Sequence, residues 1–217
     1  MGESASRNGE SFDLAWRPYG EHGVLIGCRD LDEVHALFRS VHGSDLVEEC
    51  VPGAETLFVK PRSPATSSAE LVRRIASLPA KSDAFVDDKR HLHIVEVVYD
   101  GVDLDDVARL TGLSAEEVIR RHTAPTYTVA FLGFSRAFPY LVGLDPALVV
   151  PRLESPRPSV PAGSVAMGAD FTGIYPASTP GGWRLLGRTG VAFFDESRDP
   201  PGLLAPGDRV RFLAVRR

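Results

Sequence analysis

Lysine is nearly missing from this 217-residue chain: arginine supplies all but three of its 24 basic residues, the exceptions being Lys60, Lys81 and Lys89. That bias reflects coding preference more than mechanism. Positive charge as a whole is also short. A net charge of −5 argues against the broad basic face of a nucleic-acid binder. There are two cysteines, Cys28 and Cys50, with no C-x-x-C spacing. This excludes a disulfide framework and reads as buried free thiols in a reducing cytoplasm. No run approaches the roughly 20 apolar residues of a membrane span, and the opening MGESASRNGE lacks the apolar core of a signal peptide. Its Met-Gly-x-x-x-Ser start fits a myristoylation pattern in form only, since so short a motif often arises by chance. Neither G-x-x-x-x-G-K-[ST] nor G-x-G-x-x-G is present, so no nucleotide loop can be read from a motif. G-x-S-x-G is missing too, which removes the nucleophile elbow of a serine hydrolase.

Proline and glycine, by contrast, are plentiful, and they gather between 151 and 188: PRLESPRPSVPAGSVAMGADFTGIYPASTPGGWRLLGR. Short apolar pieces interrupt them, such as Val165-Ala166-Met167 and Trp183-Arg184-Leu185-Leu186. A disordered linker has no such pieces, because it cannot offset its ordering entropy. The stretch therefore reads as compact β structure with tight turns.

Ahead of it, a disordered tail over 1–10 precedes strands at 12–17 and 24–28. A helix follows, capped by Asp30 with Glu33 three residues on. Strands at 46–51 and 55–60 flank Pro52-Gly53, and Ser67 and Glu70 form the capping box of a second helix that Pro79 ends. The run 91–99 is strongly strand-like. The order β-β-α-β-β-α-β predicts an α+β N-terminal domain over 11–95. Next, 103–122 reads as two short helices. Asp103 and Asp106 can cap the first, Gly112 can end it in the left-handed region, and Ser114 and Glu117 box the second. The pair has helix-turn-helix spacing, but Glu116 and Glu117 stand where phosphate would have to approach. From Tyr127 on, short strands with Gly/Pro turns predict a small barrel or sandwich over 96–217.

The segments GLSAEEVIRRH (112–122), FLGFSRAFPYLVGLD (131–145), PRLESPRPSVPAGSVA (151–166), TGIYPASTPGGWRLLGRT (172–189) and GDRVRF (207–212) resemble one family. It is that of the 5-oxoprolinase B subunit, also called allophanate hydrolase subunit 1 or KipI-like. The resemblance implies an α+β N-terminal domain followed by a cyclophilin-like β-barrel. It implies a KipA-like partner (allophanate hydrolase subunit 2), ATP with Mg, and a small-molecule amide substrate, in a cytoplasmic heteromer with no nucleic acid and no membrane. It also carries two alternatives, a regulator that inhibits a sensor histidine kinase and a carboxyltransferase module of the urea carboxylase type. Three departures stand out. Ser135-Arg136-Ala137 replaces x-Pro-Gly in the family's G-F-x-P-G-F, Asp170-Phe171 replaces Asn-Gln, and Asp100-Gly101-Val102 replaces a longer glycine-rich loop.

Candidate site residues follow from side-chain chemistry. Arg152 and Arg157, each after a proline, can clamp a carboxylate or phosphate through planar forks. The alternative is that they pin a Pro-rich segment to backbone carbonyls. Arg188 has the same two readings, and Arg136 is a specificity change or a surface charge. His122 is the candidate general acid or base, or else a dipole-stabilised helix cap. His91 and His93 share a strand face as a metal pair would, with no third ligand evident. Tyr175 and Trp183 are barrel aromatics or a ligand platform. Gly181 and Gly182 permit close approach of a ligand, or simply serve a turn.

Overall fold

The computed structural model describes residues 14–79 and 91–216 and divides into two units, split after Asp87. The expected tail at 1–10 and the myristoylation pattern lie outside the described residues.

In the first unit, β1 (Ala15–Tyr19), β2 (Gly23–Gly27), β3 (Val47–Pro52) and β4 (Thr56–Pro61) form an antiparallel sheet in the order β1-β2-β4-β3. Helices α1 (Leu31–Val41) and α2 (Ser68–Ala76) begin where their caps predict. Asp30 accepts from the Glu33 N–H at 2.9 Å and Ser67 from the Glu70 N–H at 3.2 Å. Their apolar stripes, Leu37 and Val41 on α1 and Leu71 and Ile75 on α2, bury with Val24, Ile26, Leu57 and Val59 of the sheet. Each such side chain contributes about 1.5–3 kcal/mol of burial. Cys28 and Cys50 are free and packed against this core, and burial pushes the Cys28 thiol up to about 12 and Cys50 to about 11. Thiols held that far from ionisation are inert.

The second unit begins with β5 (Leu92–Val97), and here the sequence reading is corrected. β5 does not complete the first sheet. It runs parallel to β13 (Arg209–Ala214), pairing Leu92 with Arg209 through to Val97 with Ala214. Alternation shows that a stretch is a strand but not which sheet it joins, so the boundary lies before β5 and not near 95. Helices α3 (Leu104–Thr111) and α4 (Ala115–Thr123) follow. Then come β6 (Tyr127–Leu132), β7 (Pro139–Val142), β8 (Arg157–Val160), β9 (Ser164–Gly168), β10 (Phe171–Ile174), β11 (Thr179–Gly181) and β12 (Arg184–Arg188). Seven of these strands form one sheet in the order β12-β9-β10-β7-β6-β13-β5. Its two edges meet where Val98 and Arg188 exchange backbone hydrogen bonds of 2.9 Å, so the sheet curls into a nearly closed barrel.

Alternation along the strands then sorts side chains to the two faces. Val129, Leu141, Val165, Met167, Ile174, Leu186 and Phe212 fill the interior together with Val107 and Val118 of the helix pair. Ala166, Leu185, Tyr175, Trp183 and Phe138 form a separate cluster with Val160 of β8. β8 and β11 pair only with each other. The turn residues behave as read: Gly112 ends α3 at φ 70°, and Ser114 caps α4 by accepting from the Glu117 N–H at 3.1 Å. Asp103 does not. It stands at the N-cap of α3 without a side-chain cap bond, because its carboxylate is engaged elsewhere.

Candidate functional site

Asp103 is buried, and its oxygens accept from the Leu185 N–H at 2.7 Å and from the Arg157 guanidinium at 2.7 Å. Arg157 also reaches the Trp183 carbonyl oxygen at 3.4 Å. Two more pairs flank it. Arg188 grips Asp100 through Nε and Nη2, the shortest bond being 2.6 Å. Arg184, almost wholly buried, holds Asp106 and the Pro151 carbonyl oxygen. Asp100, Asp103 and Asp106 thus lace the entry to α3 onto β12 and β8, and Gly101 lets the chain lie against the Leu185–Gly187 backbone where a Cβ would collide. Of the three arginines read as anion clamps, Arg157 and Arg188 therefore already hold carboxylates of their own chain. The three-residue spacing of the aspartates was the signal available in the sequence.

Arg152 is different. It is exposed, and among the described residues its guanidinium has no ion pair and no hydrogen-bond acceptor. It lies over the Trp183 ring, 5.6 Å from the centroid. Around Trp183 stand Phe138 and Tyr140, edge-on at 5.3 and 5.4 Å. Tyr175 meets Phe138 edge-on at 5.0 Å. Tyr140 also stacks on Phe131 at 4.4 Å and meets Phe171 at 5.6 Å. Burial raises the Tyr140 and Tyr175 phenol pKa values, and the positive charge of Arg152 partly opposes both shifts. β7, which carries Tyr140, was not read from the sequence, because Pro139-Tyr140-Leu141-Val142 is too short to show alternation.

The remaining candidates fall into place by contact. Tyr175 is buried in the aromatic cluster, and a Cβ at Gly181 would strike its phenol. Gly181 thus serves packing against Tyr175, while Gly182 has ordinary room and receives the Leu153 N–H at 2.8 Å. His91 and His93 lie ring to ring at 6.2 Å, with His93 3.4 Å from Asp208. No group of three metal-ligating side chains occurs among the described residues.

His122 is completely buried inside the barrel. Thr172 donates its hydroxyl to the Ala166 carbonyl oxygen at 2.9 Å, so it accepts from His122 Nε2 at 2.8 Å. Nδ1 is then the acceptor for the Tyr99 hydroxyl at 2.7 Å. The ring stacks on Phe212 at 4.8 Å. Burial pushes its pKa down to about 3, so at neutral pH it is an uncharged brace between Tyr99 and β10. Removed from solvent, it is neither a surface acid/base nor a charged cap.

The family model for the carboxyltransferase domain, subdomain C and D, matches residues 14–204. The 5-oxoprolinase B subunit of Escherichia coli O157:H7 is 43% identical over 170 residues, 77% of this chain and 78% of that protein. That of Bacillus subtilis is 50% identical over 115 residues, 53% of this chain and 48% of that protein. The chain belongs to the family of 5-oxoprolinase B subunits.

A crystal structure of TTHA0988 superposes with a TM-score of 0.78 at 37% identity, covering 90% of this chain and 40% of that one. The present chain thus spans less than half of that solved chain. Against the family's G-F-x-P-G-F, Phe134 and Ala137 both adopt positive φ, 61° and 57°. Ala137 stands where the motif has its glycine, in the left-handed region that a Cβ disfavours. The Phe134 ring is 62% exposed.

Proposed function

We propose that this chain is one subunit of an ATP-dependent amide-hydrolysing enzyme of the 5-oxoprolinase or allophanate hydrolase type, working in the cytoplasm. Its barrel flank supplies half of a composite site that a KipA-like partner completes. The observation that carries the reading is the aromatic face beside Arg152. There the exposed Arg152 and the half-buried Tyr140 stand beside the buried rings of Trp183, Phe138 and Tyr175. The clefts of 450 Å³ in this unit lie away from it, one lined by Tyr99 and Glu116 and the other by Ile94 and Arg211.

ATP with Mg does not fit the residues around Arg152 and the α3 and α4 starts. A polyphosphate needs several open cations or a helix N-terminus free of acids. Here Arg157, Arg184 and Arg188 are neutralised, and α3 and α4 start with Asp105, Asp106, Glu116 and Glu117. The nucleotide therefore belongs to the partner in this reading. His122 positions β10 from behind, and Arg157 and Arg188 hold the framework.

The test is co-expression with a KipA-like protein and the third component of the bacterial system, followed by an assay of 5-oxoproline-dependent ATP hydrolysis. Turnover with 5-oxoproline or allophanate is expected. No turnover with either, or with urea-derived substrates, overturns the enzyme reading. The match to a carboxyltransferase model over 14–204 favours one second reading, a carboxyl-transfer module, which carboxylation without amide cleavage would reveal.

A further inference from the structure

The sheet of the first unit buries one face only. Val24, Ile26, Leu57 and Val59 pack with α1 and α2, so alternation turns the residues between them to the opposite face. Across that open face the register places Arg17, Leu25, Phe58 and Val51 in one row, from β1 through β2 and β4 to β3. Tyr19 and Glu49 stand at the two ends of the next row. Tyr19 is 53% exposed and Val51 38%, Leu25 and Phe58 are half-buried, and the Tyr19 ring meets Phe58 edge-on at 5.6 Å. The face is therefore apolar across its middle and oppositely charged at its two edges. Arg17 on β1 and Glu49 on β3 make no ion pair or hydrogen bond among the described residues, whereas Lys60 between them is held by Glu48 at 3.0 Å. Strand pairing through the edge of β1 is blocked, because Pro18 in its middle has no N–H to offer. What this sheet has left to dock with is its face.

We infer that the face docks on the same face of a second copy of the chain, about a two-fold axis parallel to the strands. That axis lays β1 of one copy over β3 of the other, with the sheets about 10 Å apart. Leu25 then meets Phe58 across the interface. The Arg17 stem lies on Val51 and its guanidinium reaches Glu49 in the next row, and the symmetry makes every contact twice. The alternative two-fold, running across the strands, sets β1 on β1 and brings Arg17 against Arg17, which repel. Four strands about 4.8 Å apart, with residues rising about 3.3 Å each, give a face of about 19 by 17 Å. That is the small end of the range for specific contacts, so the pair is reversible and concentration-dependent. The inference is independent of the enzyme reading, since it uses no residue of the barrel.

Sedimentation velocity on the full chain at rising concentration is the test, and a reversible monomer–dimer equilibrium is expected. Arg17→Glu weakens association about 10-fold, because the change acts twice in a symmetric pair and sets acid against acid. Glu49→Arg does the same by setting base against base. Mixing these two single variants restores association, since both charge pairs then re-form between unlike copies, and the double variant restores it within one protein. Neither recovery is open to a chain that has merely lost its fold. Leu25→Asp abolishes the dimer with an unchanged thermal melt in the charge variants as the control. The surface is overturned if the full chain stays monomeric at every concentration, whatever else covers the face. It is equally overturned if Arg17→Glu or Leu25→Asp associates as wild type, or if the mixed single variants associate no better than either alone.

Discussion

At the scale of single residues, the arginines divide by what their own chain already gives them. Asp103 has 8% of its side chain exposed and Arg157 28%, whereas Arg188 and Asp100 are 42% and 44% exposed. Removing a buried partner leaves the other charge uncompensated, while an exposed pair is worth little. Asp103→Ala should cost about 3 kcal/mol in urea unfolding, and Arg188→Ala no more than about 1 kcal/mol. His122 gives a second residue-level expectation. Its folded pKa of about 3 lies below the ordinary 6.5, so the folded state binds fewer protons than the unfolded one between those values. Its contribution is complete above pH 6.5 and is lost as pH falls from 6.5 towards 3, with a slope approaching about 1.4 kcal/mol per pH unit. Unfolding free energies of His122→Gln measured across that window should fall less steeply than wild type. The identities of these residues were legible in the sequence as charged or titratable side chains. Their roles were not, because whether an arginine is open or taken depends on aspartates about 50 to 90 positions away, which no local pattern encodes.

At the scale of elements, the helices were the most legible part. Ser67, Ser114 and Asp30 cap where their spacing to Glu70, Glu117 and Glu33 says they should, because capping is a contact within four residues. Short strands were harder. The apolar stretch from Val160 to Met167 is not one strand: it joins the end of β8 to β9 through a turn at Gly163, whose φ is 80°. β7 and β11 were not seen at all, at four and three residues. The β6–β7 connection carries its own expectation. Ala137 at φ 57° bears a left-handed cost of about 1–2 kcal/mol, which glycine would relieve, its freer unfolded state cancelling part of the gain. Ala137→Gly should raise the unfolding free energy by up to about 1 kcal/mol, and Ala137→Val should lower it. A calorimetric melt of the three proteins orders them.

For the whole molecule, the family's two-part layout was legible, but the position of the boundary was not. β5 has the composition of any buried-edge strand, and what assigns it to the barrel is its partner, β13, near the other end of the unit. Residues 88–217 alone should therefore fold, with protected amides in β5 and β13, while 96–217 lacks most of β5 and should be aggregation-prone. Hydrogen exchange and light scattering on the two fragments test this. No helix among the described residues is long and apolar enough to cross a membrane.

The pairing of the unit's first strand with its last also sets a schedule. During synthesis β5 emerges early, with Leu92 and Ile94 on its surface, and waits for Arg209–Ala214 while the whole barrel is translated. Until then it is an apolar strand edge without a neighbour. A ribosome that stalls anywhere in the Pro/Gly-rich stretch holds that edge open, so the exposure of this edge to chaperones should follow how fast synthesis proceeds to β13.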